Sequence, residues 1–219
     1  MLSQRVQVPG AGPWRTSLEV AVLGQLQQHD VNLVSWRREL PANLDELLVE
    51  WAVRFPARFD QIVSMPSYDL SAAVHGLAEP ARTWLTTDIA VLLAQLAHLA
   101  NAPRLRVSFG AVRTNQCPKF HVDYVRYRLM TTYTGPGTEW VPDDAVRREA
   151  LNHPVECPRD ANEEIVRDAS AVRHGAVGEV LVMKGARHET GRGAVHRSPP
   201  IEGTGQVRVA LIASTVDVS

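Results

Sequence analysis

The chain has 219 residues, 45% of them hydrophobic and 21% charged, with a formal net charge of −1. That balance excludes a disordered polyelectrolyte and supplies a sizeable core, in one large domain or in a helical part packed on a β part. Two cysteines, Cys117 and Cys157, make no disulfide framework, no apolar run reads as a membrane span, and "MLSQRVQVPGAGPW" lacks the layout of a secretory signal. The expectation is a reduced, cytoplasmic protein with no membrane partner.

Residues 1–103 read as a helical N-terminal region. A weak amphipathic stretch covers 17–28. In "NLDELLVEWAVRFP", Asn43 and Glu46 form a capping-box pair, and Leu44, Leu47, Leu48, Trp51, Ala52 and Phe55 recur at helical spacing until Pro56. A second helix starts near Pro80 and carries Leu85, Ile89, Leu92, Leu93, Leu96 and Leu99 on one side before "NAPR". His75 and His98, in or beside these helices, read as structural.

Residues 104–219 read as a β core. "RLRVSFGAV", "YVRYRLMTTY", "EVLVMKG" and "QVRVALIAS" are strand-like, and "TGPGT", "KGA", "TGRG" and "EGTG" separate them as turns. Many short strands imply a sandwich, barrel or jelly roll. An acidic insert at about 142–178 has room for a helix and the expected role of a lid or substrate loop. Between Arg104 and Tyr133 six Lys/Arg face one acid, Asp123. Either an anionic ligand or a salt-bridged surface explains them.

In a strand, side chains two apart share a face, so His121 and Asp123 point the same way. With the distant His196 they make two imidazoles and one carboxylate, the donor set of non-haem iron(II) sites that keep positions open for dioxygen chemistry. Cys117 has the same parity. A continuous strand would add it as a fourth ligand and close the set around zinc. Pro118 interrupts the strand instead, which leaves Cys117 as a small buried side chain near the site. His153, His174 and His188 lie in turn-rich segments and are expected on the surface, with Trp140 packing at the rim. In "QVRVALIAS", alternation sends Arg208, Ala210 and Ile212 to one face and Val207, Val209 and Leu211 to the other. A guanidinium in such company needs a carboxylate, from a ligand or from a protein acid such as Glu179.

The run "HVD", "GTEWVP", "GEVLVMKG" and "HRSPPIEGTGQVRVAL" resembles the prolyl-hydroxylase-like branch of Fe(II)/2-oxoglutarate oxygenases over about residues 104–215. "CPKFHVDYVRYRLMTTYTGPGTEW" and "GRGAVHRSPPIEGTG" also resemble an uncharacterised bacterial family with the same HxD…H pattern, over nearly the whole chain. The resemblance implies an α+β fold, a double-stranded β-helix (jelly roll, cupin-like) behind an N-terminal helical layer. It implies Fe(II) held by His121, Asp123 and His196, and 2-oxoglutarate anchored by Arg208 with the Tyr133 hydroxyl in reach. The substrate would be a small molecule or peptide of anionic character, with nucleic acid left open and oligomeric state unread. The sequence departs from that branch in a longer His196-to-Arg208 spacing, in Ala210 where a hydroxyl residue is usual, and in Pro136 inside the glycine pair. Two other readings stand beside it: a zinc-binding protein of metal homeostasis without turnover, and a jelly-roll metalloenzyme that does not use 2-oxoglutarate.

Overall fold

Leucine spacing dictates the two long helices. In α1 (Leu44–Arg54) the buried stripe is Leu44, Leu48, Trp51 and Ala52, and in α2 (Ala81–Ala100) it includes Leu85, Ile89, Leu92, Leu93 and Leu96. This is a computed structural model, and it describes residues 12–55, 58–154, 157–190 and 192–216. Pro56, expected to end α1, lies outside them. The expected capping box is not formed: Asn43 sits at φ 62° and its side chain caps no N–H. By length and composition α2 would suffice to cross a membrane, which the sequence reading overlooked. Its leucines nevertheless pack in the main core with strand residues, and Asp88 in its middle pairs with Arg38. The 17–28 stretch forms a 3-10 helix over Val20–Gln27.

The first 103 residues are not all helical. They contribute the strands β1 (Trp14–Ser17), β2 (Leu33–Trp36) and β3 (Phe59–Ser64). The later strands are β4 (Arg104–Val112), β5 (Tyr127–Thr134), β6 (Glu139–Val141), β7 (Arg173–His174), β8 (Val180–Lys184), β9 (Val195–Arg197) and β10 (Arg208–Thr215). Among the described residues, seven form one sheet in the order β1-β2-β8-β5-β10-β4-β3, and three form a second in the order β7-β6-β9. Apart from the parallel pair β1–β2, the pairings in the large sheet are antiparallel. The helical and β regions read from sequence therefore share a sheet.

Alternation gives the large sheet two different faces. Val209, Leu211 and Ala213 of β10, with Leu105, Val107 and Phe109 of β4, join α1 and α2 in the main core. On the opposite, inner face, Leu33, Met130, Leu181, Met183 and Ile212 pack against Trp140 of the small sheet. Trp140 is thus buried between the sheets and edge-on to Trp14 at 5.3 Å, not on the rim. A third cluster, Phe120, Val141, Val146, Ala150, Ile165 and Val195, packs the insert onto the small sheet. The insert holds the expected helix, α3 (Pro158–Ile165).

Candidate metal centre

His121 and Asp123 lie in a loop, not in a strand; β5 begins only at Tyr127. His121 is nonetheless held in extended form by two backbone hydrogen bonds with His196, both 3.0 Å. That bridge joins two imidazoles 75 residues apart, with ring centroids 4.7 Å from each other. The loop is clamped from both sides. The Ala186 N–H donates to the Asp123 carbonyl at 2.8 Å and the Arg187 N–H to Val125 at 3.1 Å. Gly185 and Gly193 are required here: a Cβ on Gly185 would lie 2.2 Å from the Val125 oxygen, and one on Gly193 would lie 2.3 Å from Val122. From the other side the insert grips the approach to His121. Asn162 accepts from the Phe120 N–H at 2.7 Å and donates to the Pro118 carbonyl at 2.9 Å. Lys119 donates to the Leu151 and His153 carbonyls. Where a lid was expected, these contacts make the insert a brace.

The polar atoms of the triad converge. One donor atom each from His121, Asp123 and His196 lies within 4.8 Å of the others. His121 Nδ1 is 2.8 Å from the Lys119 carbonyl and His196 Nδ1 is 3.2 Å from the Ala194 carbonyl. A carbonyl requires a proton on that nitrogen, so each neutral ring turns an Nε2 lone pair towards Asp123. His121 Nε2 is 3.4 Å from Asp123 Oδ1 and His196 Nε2 is 3.0 Å from Oδ2. Oδ2 is buried and makes no aligned hydrogen bond. Lone pairs facing one another at such range are relieved by a proton or a metal cation between them. The chemistry fits iron(II), for which two imidazoles and a carboxylate leave coordination positions open.

Electrostatics agree with a site built for positive charge. Burial works against the ionised Asp123, yet His121, His196 and Arg128 outweigh it and hold the carboxyl well below the usual range. Burial likewise disfavours charged His121, but Asp123 and the Lys119 carbonyl prevail and raise its pKa. Arg128, not anticipated from sequence, contacts Asp123 Oδ1 at 3.0 Å and donates through Nε to Ser214 at 3.1 Å. It engages one carboxylate oxygen, Oδ1, and leaves Oδ2 facing His196. The alternation that places Met130 on the inner face also places Arg128 there, and that was the available signal.

Arg208 is on the inner face as expected, but it is not open at a mouth: it is 4% exposed. Its Nη2 makes long contacts with Thr132 (3.3 Å) and Thr138 (3.5 Å), and Nε has no partner. Burial first, then the charge of Arg58, lower its pKa to about 10. Glu179 is not its counter-ion, being engaged by Ser35 and the Ala176 N–H. Among the described residues no carboxylate forms an ion pair with Arg208, so a ligand carboxylate fits the place.

Several expected positions are corrected. Tyr133 faces the helices, wholly buried. Its hydroxyl donates to Asp88 at 2.8 Å, so it does not reach the triad or Arg208. Burial, then the Asp88 charge, push its pKa well up. Alternation in β5 puts Tyr133 there, on the side of Tyr127 and Leu129, and a bulge beside it pairs Val209 with Thr134 and Ala210 with Thr132. Cys117 is exposed, neither buried nor part of the metal cluster. The closed four-ligand set is therefore absent among the described residues. His153 and His174 are exposed as expected. His188 is not, since Nε2 lies 2.7 Å from the Tyr127 hydroxyl and Nδ1 accepts from the Thr190 N–H. The basic stretch is mostly committed internally: Arg106 to Asp60, Arg113 to the Ala52 carbonyl, Lys119 to the insert and Arg128 to Asp123. Four of its six cations are thus already engaged within the chain.

A family model described as "Protein of unknown function (DUF1826)" matches residues 17–213. The chain belongs to the DUF1826 family. No curated protein matches it. Among solved structures, this DUF1826 chain is similar to a Pseudomonas putida prolyl-4-hydroxylase at 15% identity, covering 91% of this chain and 98% of that one, with a TM-score of 0.47. It is also similar to a full-length Neurospora crassa protein in complex with alpha-KG at 12% identity, covering 89% of this chain and 76% of that one, with a TM-score of 0.43.

Proposed function

We propose that this DUF1826 protein is an Fe(II)- and 2-oxoglutarate-dependent oxygenase, built on a double-stranded β-helix and working in the reducing cytoplasm on a small molecule or peptide. The observation that carries the reading is the pairing of two unsatisfied features in one chain. A metal-ready triad presents the buried, unbonded Asp123 Oδ2, and a buried guanidinium at Arg208 lacks a carboxylate.

His121, Asp123 and His196 would hold the iron. Their fixed tautomers and the Arg128 contact spare the site reorganisation on binding. Arg208 would take the distal carboxylate of 2-oxoglutarate in a charge-assisted, two-pronged grip, with Thr132 and Thr138 beside it. Bound together, iron(II) and 2-oxoglutarate supply the dioxygen chemistry that oxidises a C–H bond. Met130, Leu181, Met183, Ile212 and Trp140 keep the space between the sheets apolar, which excludes water and strengthens the Arg208–carboxylate attraction. A zinc-holding protein without turnover would be better served by a closed ligand set, and Cys117 does not supply one.

The test is anaerobic titration of 2-oxoglutarate into the Fe(II)-loaded protein, followed by exposure to air. A metal-to-ligand charge-transfer band and succinate formation are expected. Tight metal binding with neither band nor succinate would overturn the proposal.

A further inference from the structure

We propose that Arg58 is a second guanidinium of the co-substrate pocket and makes it selective for dicarboxylic over monocarboxylic 2-oxo acids. The inference rests on the oxygenase reading and names a residue which that reading does not use.

Arg58 directly precedes β3, where Phe59 and Val63 face the helices in the main core. Alternation turns Arg58 to the inner face, where its Nε donates to the Ser108 hydroxyl at 2.6 Å. The register of β4 against β10 relates it to Arg208: Ser108 pairs with Ile212, Gly110 with Ala210, and Val112 with Arg208. The two arginines therefore flank a step of the sheet whose floor is Gly110 and Ala210, the smallest side chains available. Gly110 adopts φ 143°, a conformation that favours glycine.

The charges nearby are not balanced. Asp60 first, and Cys117 after it, favour the charged Arg58, but Arg106 holds Asp60 with contacts of 3.0 and 3.3 Å. Glu139 is the acid whose charge reaches Arg208, but Arg197 holds it at 2.6 Å and His174 faces it at 3.4 Å. The Arg58 charge in turn acts on Arg208 as repulsion. The Ser108 contact is Arg58's hydrogen bond among the described residues, and it uses one of five N–H donors. Anchoring an edge strand to a serine would not require a half-buried cation on the same face as Arg208. A carboxylate has lone pairs enough for two guanidiniums, and it would turn their repulsion into a shared attraction.

The experiment is calorimetric titration of the Mn(II)-loaded protein under argon. The ligands are 2-oxoglutarate and 2-oxovalerate, which keeps the chelating head and has a methyl group in place of the distal carboxylate. For R58Q the expected result is roughly tenfold weaker 2-oxoglutarate binding, with 2-oxovalerate binding changed less than about twofold. R58K, which keeps the charge, should recover most of the loss. If R208Q loses 2-oxoglutarate while R58Q keeps it, the inference falls and the oxygenase reading stands. If R58Q loses both acids equally, or R58K fails to rescue, Arg58 is a scaffold residue and the inference falls. If the wild-type protein binds the two acids alike or neither, both readings fall.

Discussion

Replacing Arg208 with methionine should raise the melting temperature of the ligand-free protein while abolishing its hold on 2-oxoglutarate. Burial and the nearby Arg58 charge lower the Arg208 pKa from 12.5 to about 10. At ~1.4 kcal/mol per pKa unit, the buried charge costs the fold ~3 kcal/mol. For a base whose folded pKa is depressed, that penalty is complete at every pH below the folded value. It fades only as pH rises towards the unfolded value, so it is fully present at neutrality. Methionine fills similar space without a charge, but it leaves the Thr132 and Thr138 hydroxyls to find other partners, at a cost of about 1 kcal/mol. The net gain is ~2 kcal/mol, or about 4–8 °C for a chain of this length. Differential scanning calorimetry with and without Mn(II) and 2-oxoglutarate provides the assay. The wild type should gain stability from the co-substrate, whereas R208M should start higher and gain nothing. A variant that melts several degrees below the wild type would show that the guanidinium already has a protein partner, and the argument for a ligand carboxylate would fail.

Two further outcomes follow from the metal loop and its surroundings. His121→Ala should abolish retention of Mn(II) or Co(II) in equilibrium dialysis, whereas Cys117→Ser, altering an exposed residue outside the cluster, should leave it within about twofold; equal losses would restore the four-ligand zinc reading. Burial first, then Lys184 and Arg126, lower the His188 pKa from 6.5 to about 4. The unfolded chain therefore takes up a proton that the folded one refuses, and stability should fall with pH from about 6.5 to about 4. H188Q should show a shallower fall in urea denaturation, and identical slopes would contradict the half-buried Tyr127–His188 contact.

What could be read in the sequence was what repeats or pairs at short range. The leucine stripes of α1 and α2 announce themselves at a 3.6-residue period, and β4, β8 and β10 are apolar enough to stand out. His121 and Asp123 were legible as a pair, and alternation in β10 correctly separated Arg208 from Val209. The strands β1 and β2 escaped because four residues carry too little periodicity, and their place depends on pairing with β8 far along the chain. Arg128, Asn162 and Thr138 escaped because their roles arise from contacts between distant segments. Tyr133 could have been placed: it shares parity with Tyr127 and Leu129, which face the helices. Cys117 obeyed the parity of a strand that was never formed.

The position of β10 also bears on how the chain reaches its final state. It follows every other strand in sequence, yet in space it lies between β5 and β4. Until it inserts, the large sheet is two fragments, each presenting a row of unpaired N–H and C=O groups that could template pairing with another molecule. Such long-range closure is slow, since loop entropy is lost before the contacts form. The strand that removes both sticky edges also delivers Arg208 to Thr132 and Thr138. On the proposed function, competence to hold a dicarboxylate and protection from self-association would therefore arise in one event, and a chain caught before it would be prone to aggregate.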